Sequence, residues 1–354
     1  MSMDGLRIHL NEARGRSFVD SVRKGRFSFA LVISHTDTCE IPGLTVAGAG
    51  PGMFKFTPPA DAEFLHYGSC ICIDGIPKTP DGKPTPALLT KVALESASIP
   101  HIVINAGSRI APRLPFITTG LPPGGDISRT DAMSHEDAVH AVDFGRIVGR
   151  TLASLTDCLV IGESLPGGTT TAMATLRGLG YDANVSSSSA KNPLDLKKSV
   201  FEKARLRLAD KGPLSVVSTM GDPMIPFVAG MLSTASGMSR VLLAGGTQMG
   251  AVLAFAKSLG YHNSSVAVGT TSYVTEDGSA NFLETIKQID EVPVISVDPG
   301  LSESRIPGLR AFSEGFAKEG VGAGGSMISA ILRADLGTKR LLRDIELEYD
   351  RVFT

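Results

Sequence analysis

Short apolar runs, continuous rather than alternating, recur along this chain, and stretches of helical period separate them. The runs are FALVIS (29–34), LTVAGA (44–49), CICI (70–73), HIVINA (101–106), CLVIGE (158–163), LSVVST (214–219), RVLLAG (240–245), SVAVGT (265–270) and VPVISV (292–297). Unbroken runs of this length suit strands buried on both faces of a parallel sheet. The segment 134–155 has the other period. There Ser134 is placed to cap a helix, Asp137 to answer it, and Ala138, Ala141, Val142, Gly145, Val148 and Leu152 to form one apolar stripe. Strand then helix, repeated, predicts an open, mainly parallel α/β sheet with helices on both faces, a Rossmann-like three-layer arrangement. Residues 5–25 and the closing GTKRLLRDIELEYDRVFT read instead as charged amphipathic helices with no strand. The expected organisation is therefore an α/β core over 26–325 and a smaller helical lobe built from 1–25 with 326–354. SSSS at 186–189 and DGIPKTPDGKPTP at 74–86 read as loops.

Composition narrows the functional classes. Lys plus Arg number 34 and Asp plus Glu 36, giving a net charge of −2 without a dense basic run, so an electrostatic grip on nucleic acid is not expected. The absence of tryptophan argues against stacking platforms for single strands. The N-terminal MSMDGLRIHLNEARGR reads as neither signal peptide nor anchor, and no run reaches spanning length, so the expectation is a cytoplasmic protein of small molecules without a membrane partner. Cysteines at 39, 70, 72 and 158 are too few and irregular for a disulfide framework. Cys70 and Cys72 read as small apolar side chains on one strand face rather than metal ligands. His35 closes a strand, and His135 and His140 share a helix at a spacing wrong for one metal face; all three read as structural.

Four predicted strands run directly into small polar residues: GESLPGGTTT, STMGDP, GGTQMG and GTTS. In an open parallel sheet the carboxyl ends of strands share one edge, where ligands bind. Glycines admit a ligand close to the backbone, successive N–H groups form an anion nest, and a following helix adds its positive end. One such loop is an ordinary turn; four at one edge point to a phosphate-bearing ligand. Gly167, Gly168, Thr169 and Thr170 in the first loop, Gly245 and Gly246 in the third, and Thr270 and Thr271 in the fourth are the expected contacts. TVAGAGPGM (45–53) imitates a dinucleotide fingerprint, but Met53 stands at the third glycine position and no receiving helix is expected after it. No strand ends in a paired-acid motif, so metal-assisted phosphoryl chemistry lacks ligands.

The stretch FAKEGVGAGGSMISAIL (316–332) adds a lone carboxylate, Glu319, before a Gly-rich turn and an apolar helix. With GES followed by GGTTTA (162–172), LLAGGTQ (242–248) and EGVGAG (319–324), the chain resembles the nicotinate-nucleotide dimethylbenzimidazole phosphoribosyltransferase family, in its divergent archaeal and cyanobacterial branch. The resemblance covers about 155–335 and leaves the acceptor-base contacts in the first 150 residues unplaced. It implies phosphoribosyl transfer from nicotinate mononucleotide to a benzimidazole-type base, giving an α-ribazole phosphate and nicotinate for the lower ligand of cobalamin, without metal or cofactor, in a homodimer. It implies Glu319 as the general base ahead of Gly320, Gly322 and Ala323, Glu163 in the active site as hydrogen-bonding or electrostatic partner of the sugar, and a phosphate contact from Lys198 or its neighbour Lys197. Read without the resemblance, Glu163 serves equally as a cap for its own loop and Glu319 as an acid at a helix start. The family's Gly-Asn-Thr-Thr is replaced here by Gly168 and Thr169 without the amide. A nucleotide N-glycosyl hydrolase and a non-catalytic mononucleotide sensor are the alternative functions.

Overall fold

The computed structural model describes residues 5–46, 52–79 and 82–353. Eight strands form one sheet: β1 (Leu6–His9), β2 (Phe27–Ile33), β3 (His101–Asn105), β4 (Phe116–Thr118), β5 (Cys158–Ser164), β6 (Arg240–Ala244), β7 (Val266–Thr271) and β8 (Val294–Val297), in the order β1-β8-β7-β6-β5-β2-β3-β4. All neighbours are parallel except β1, which pairs antiparallel with β8 at the edge. From β5 the chain winds outward through β6, β7 and β8, and from β2 it winds the other way through β3 and β4. The order therefore reverses between β2 and β5, and the crevice beyond their carboxyl ends is the ligand position that this topology creates. Every residue of β5 is buried, as an unbroken apolar strand requires.

Each face of the sheet carries its own core. On one side, helix His135–Ala153 packs on helix Met224–Ala235 so closely that Gly145 and Gly149 lie against the partner's backbone. Its expected cap is present: Ser134 Oγ accepts from Asp137 N at 3.0 Å and donates to the Asp137 carboxylate at 2.6 Å. On the other side, helix Ala323–Ala334 crosses beneath the strands, and Gly324 and Gly325 let it touch β7 and β6.

Several expected elements differ. LSVVST is no strand: Pro213–Met220 is a helix started by Pro213 at its first position, with Val216 and Val217 buried. CICI is an irregular loop, because Ile71 N and Cys72 N donate to Glu63 Oε2 (2.6 and 2.8 Å) instead of to a neighbouring strand. Cys70 and Cys72 are accordingly half-buried loop residues and not a core pair. Leu44 to Val46 form no strand, and the rest of LTVAGA lies outside the described residues. The N-terminal segment does contain a strand, β1, followed by helix Glu12–Val22 capped by Asn11, whose side chain accepts from Arg14 N. A helix also follows the fingerprint-like stretch, Thr57–Tyr67, where none is expected; Pro58 and Pro59 in its first turn supply no N–H for a pyrophosphate.

Candidate active site

A cavity of about 610 Å³ opens at the carboxyl ends of the central strands. The end of β5 with the turn after it (163–169), the serine loop 186–188, the start of helix Thr247–Leu259 and the segment 317–321 line it, together with parts of 45–86. The turn after β5 starts helix Gly168–Gly178 through Gly167, whose φ of 78° lies in the left-handed region. A Cβ at Gly167 would also stand 2.9 Å from Cys39 Cβ, so the position needs glycine twice over.

Glu319 reaches the cavity wall held by many donors. Its Oε1 accepts from Gly320 N and Gly324 N, both at 3.1 Å, and its Oε2 accepts from Thr271 N at 3.0 Å and the Thr270 hydroxyl at 3.2 Å. Burial raises its pKa, and those four donors pull it back without overcoming burial. The outcome is a fixed carboxylate that is more basic than an exposed glutamate. Glu163 comes beside it through backbone contact: Val321 N donates to Glu163 O at 3.0 Å, and Gly322 abuts Gly162. Burial, followed by the charges of Asp222, Glu319 and Asp61, pushes the Glu163 carboxyl up to about 8. It therefore carries a proton at neutral pH, which an acceptor in the cavity can take up as a hydrogen bond.

Two further acids flank the pair. Asp61, 3% exposed, accepts from the Thr85 and Ser164 hydroxyls at 2.7 Å each, and burial raises it to about 6. Asp222 accepts from the Thr171 hydroxyl at 2.5 Å and from Met224 N and Ile225 N, and burial raises it likewise to about 6. Lys318, which also lines the cavity, pairs with Asp277 at 2.8 Å, and Ser186 donates to the same carboxylate oxygen at 2.6 Å. Burial alone would raise Asp277, but the hydrogen bonds from Lys318, Ser186 and Ser279 together hold it down at about 2. Behind the serine loop the buried Lys197 donates to Ser186 O at 3.0 Å, and burial lowers its pKa to about 7.

Of the residues singled out in the sequence, Glu163, Gly167, Gly168, Thr169, Gly246, Glu319 and Gly320 line the cavity. Thr270 and Thr271 stand one layer back as donors to Glu319, and Gly322 caps helix Ala323–Ala334. Gly245 holds the end of β6 to β7 through its N–H to Gly269 O at 2.9 Å. Thr170 is fully buried behind the loop. Lys198 is half-buried and off the cavity, whereas Lys197 is the lysine turned inward. His35 is buried behind the Gly167 turn rather than in the cavity. Sequence reasoning missed Asp61, Asp222, Lys318 and Ser186 to Ser188. The serine run was the one local signal, and it looked like a plain loop.

Among the described residues no helix is long and apolar enough to cross a membrane. Residues 94–301 match the phosphoribosyltransferase family model DBI_PRT. The chain is similar to a UPF0284 protein of Archaeoglobus fulgidus, 45% identical over 344 residues, covering 97% of this chain and 99% of that one. A UPF0284 protein of Sulfolobus acidocaldarius is 44% identical over 331 residues, covering 93% and 96%. Among solved structures, a nicotinate-nucleotide-dimethylbenzimidazole phosphoribosyltransferase of Thermus thermophilus shares the fold, with a TM-score of 0.62 and 19% identity over 91% of this chain and 84% of that one. The structure of CobT from the same organism aligns with a TM-score of 0.61 and 18% identity, over 93% and 88%. This chain belongs to the nicotinate-nucleotide dimethylbenzimidazole phosphoribosyltransferase family and is a pentosyltransferase.

Proposed function

We propose that the enzyme moves the phosphoribosyl group of nicotinate mononucleotide to a ring nitrogen of a benzimidazole-type base, releasing nicotinate and an α-riboside phosphate. The donor phosphate sits against the N–H groups that open helices Gly168–Gly178 and Thr247–Leu259 and against the serine loop. The ribose faces Glu163, whose carboxyl proton is offered to a sugar hydroxyl. The acceptor lies between Glu319 and the 45–86 wall. Its free nitrogen attacks C1′ opposite the pyridinium, and the C1′–N bond breaks with its electron pair returning to the pyridine ring. The N–H proton of the acceptor passes to Glu319. The leaving group departs without a proton from the protein, so one base suffices.

The observation that carries this reading is the setting of Glu319: one fixed, raised-pKa carboxylate at the wall of a cavity bordered by two glycine-opened helix starts. Purified protein given nicotinate mononucleotide, with and without benzimidazoles, tests it. Nicotinate release that requires added base, matched by new riboside phosphate, is expected; base-independent release would make it a hydrolase instead. The family resemblance supports a homodimer working on small molecules in the cytoplasm, and sedimentation equilibrium at twice the chain mass checks the assembly.

A further inference from the structure

The cavity wall contains a further group that transfer to a plain benzimidazole leaves unused. It is Asp61, carried on helix Thr57–Tyr67 and lining the cavity. Phe56, Ile71, Ile73 and Ile76 line the same cavity and give it apolar surface suited to a flat ring. A buried carboxylate in such surroundings is costly unless its lone pairs are used. Thr85 Oγ1 donates to one carboxylate oxygen and Ser164 Oγ to the other. A carboxylate offers about four acceptor positions, so about two remain for something in the cavity. Beside it Thr57 also lines the cavity, and its hydroxyl is buried without a partner. The two hydroxyls holding Asp61 fix its orientation, which gives it the geometry of a reader rather than of a spare acid.

We infer that Asp61 is a specificity-determining residue that accepts a hydrogen bond from a hydroxyl or amino substituent on the acceptor ring, so that the preferred acceptor is a polar-substituted aromatic base rather than a dimethylated one. This rests on the proposed transfer, with Glu319 taking the ring proton of the base and Asp61 reading its substituent. A buried acceptor left unpaired discriminates strongly against the analogue that lacks the donor, typically by tenfold or more. A methyl group in the same place would cover Asp61 without satisfying it.

Transfer from nicotinate mononucleotide is measured with benzimidazole, 5-hydroxybenzimidazole, 5-aminobenzimidazole and 5,6-dimethylbenzimidazole. Binding of the four bases alone is measured by calorimetry. For the wild-type protein kcat/KM with the hydroxyl or amino base exceeds that with 5,6-dimethylbenzimidazole by at least about tenfold. In Asp61→Ala and Asp61→Leu the ratio falls to within about threefold. A purely structural Asp61 lowers every acceptor equally and leaves the ratio unchanged, which overturns the inference. Equal use of all four bases by the wild type overturns it too, while leaving the transferase reading in place. Should no base accept, preferential binding of the polar bases that disappears in Asp61→Ala upholds the reader, and it is the transferase that fails.

Discussion

Glu163 is held from an ordinary 4.5 up to about 8, so between those values the folded protein keeps a proton that the unfolded chain has lost. Such a group favours the fold fully below pH 4.5, and the advantage drains away as pH climbs through 8. At about 1.4 kcal/mol per pH unit the interval sets an upper bound of about 5 kcal/mol. Water in the open cavity and local relaxation reduce this to about 2 kcal/mol. Glutamine has the same shape, still accepts the Leu165 N–H that the carboxylate accepts, and cannot ionise. Glu163→Gln is therefore neutral to stability near pH 5 and stabilising at pH 8.5. At about 2 °C per kcal/mol for a chain of this size the gain in Tm at pH 8.5 is about 4 °C. Lys197 works in the opposite direction, its lowered pKa adding stability as pH rises above about 7. It is common to both proteins and cancels in the difference. Scanning calorimetry of the two proteins at pH 5 and 8.5 is the assay. A Tm difference of the same size and sign at both pH values refutes the argument that this carboxyl is protonated in the fold. The same change separates two catalytic roles: a hydrogen-bond donor survives it with turnover at pH 7 within about tenfold, whereas an anion facing a developing positive charge would cost about 10²-fold or more.

Glu319→Gln lowers kcat by about 10²–10⁴-fold while nicotinate mononucleotide binds as before, measured by single-turnover kinetics and calorimetry. In the wild type the rate falls as pH drops through the pKa of Glu319, and the inflection lies above the ordinary glutamate value of 4.5; an inflection at or below 4.5 contradicts the burial argument. Gly167→Ala forces a left-handed φ and a contact with Cys39, so it costs about 1–2 kcal/mol and raises the KM of the donor more than that of the base. Unchanged donor KM in a folded Gly167→Ala protein would separate this turn from the phosphate.

The sheet was readable where burial on both faces leaves an unbroken apolar run, as in β2, β3, β5, β6, β7 and β8. LSVVST has the same look, because a buried helix of eight residues and a buried strand share one composition, and only Pro213 at its start separates them. LRIH was lost for the reverse reason: an edge strand of four residues, three of them half-buried, resembles the first turn of the helix that follows. CICI turned on one long-range partner, Glu63, which no local pattern announces. The same distinction runs through the site. Glycine turns and Glu319 are visible because their geometry is local to a motif. Asp61 acquires meaning from Ser164, 103 positions away, and Lys318 from Asp277, 41 positions away. Neither pairing has a spacing that the chain could display.

The cavity gathers Asp61, Glu163, Glu319 and, behind them, Asp222, and each titrates above its ordinary range because it is buried. The charges of the other three also raise Glu163, and a cationic ring relieves that repulsion. On the proposed reaction the donor arrives with its positive pyridinium, which favours the ionised form of Glu319. As the glycosidic bond breaks, that charge leaves the nicotinate ring, crosses the sugar and reappears on the acceptor ring. It is discharged when the acceptor proton reaches Glu319. The acid wall thus follows one positive charge through the whole reaction, and the donor's ring charge should contribute to binding as well as to leaving. A C-riboside analogue of the donor, with the same carboxylate and phosphate on an uncharged ring, is expected to bind at least about tenfold more weakly, the equivalent of about 1.4 kcal/mol lost with one partly screened charge pair. Equal affinity of analogue and donor would mean that these carboxyls do not sense the ring, and the charge-following mechanism would fall with that result.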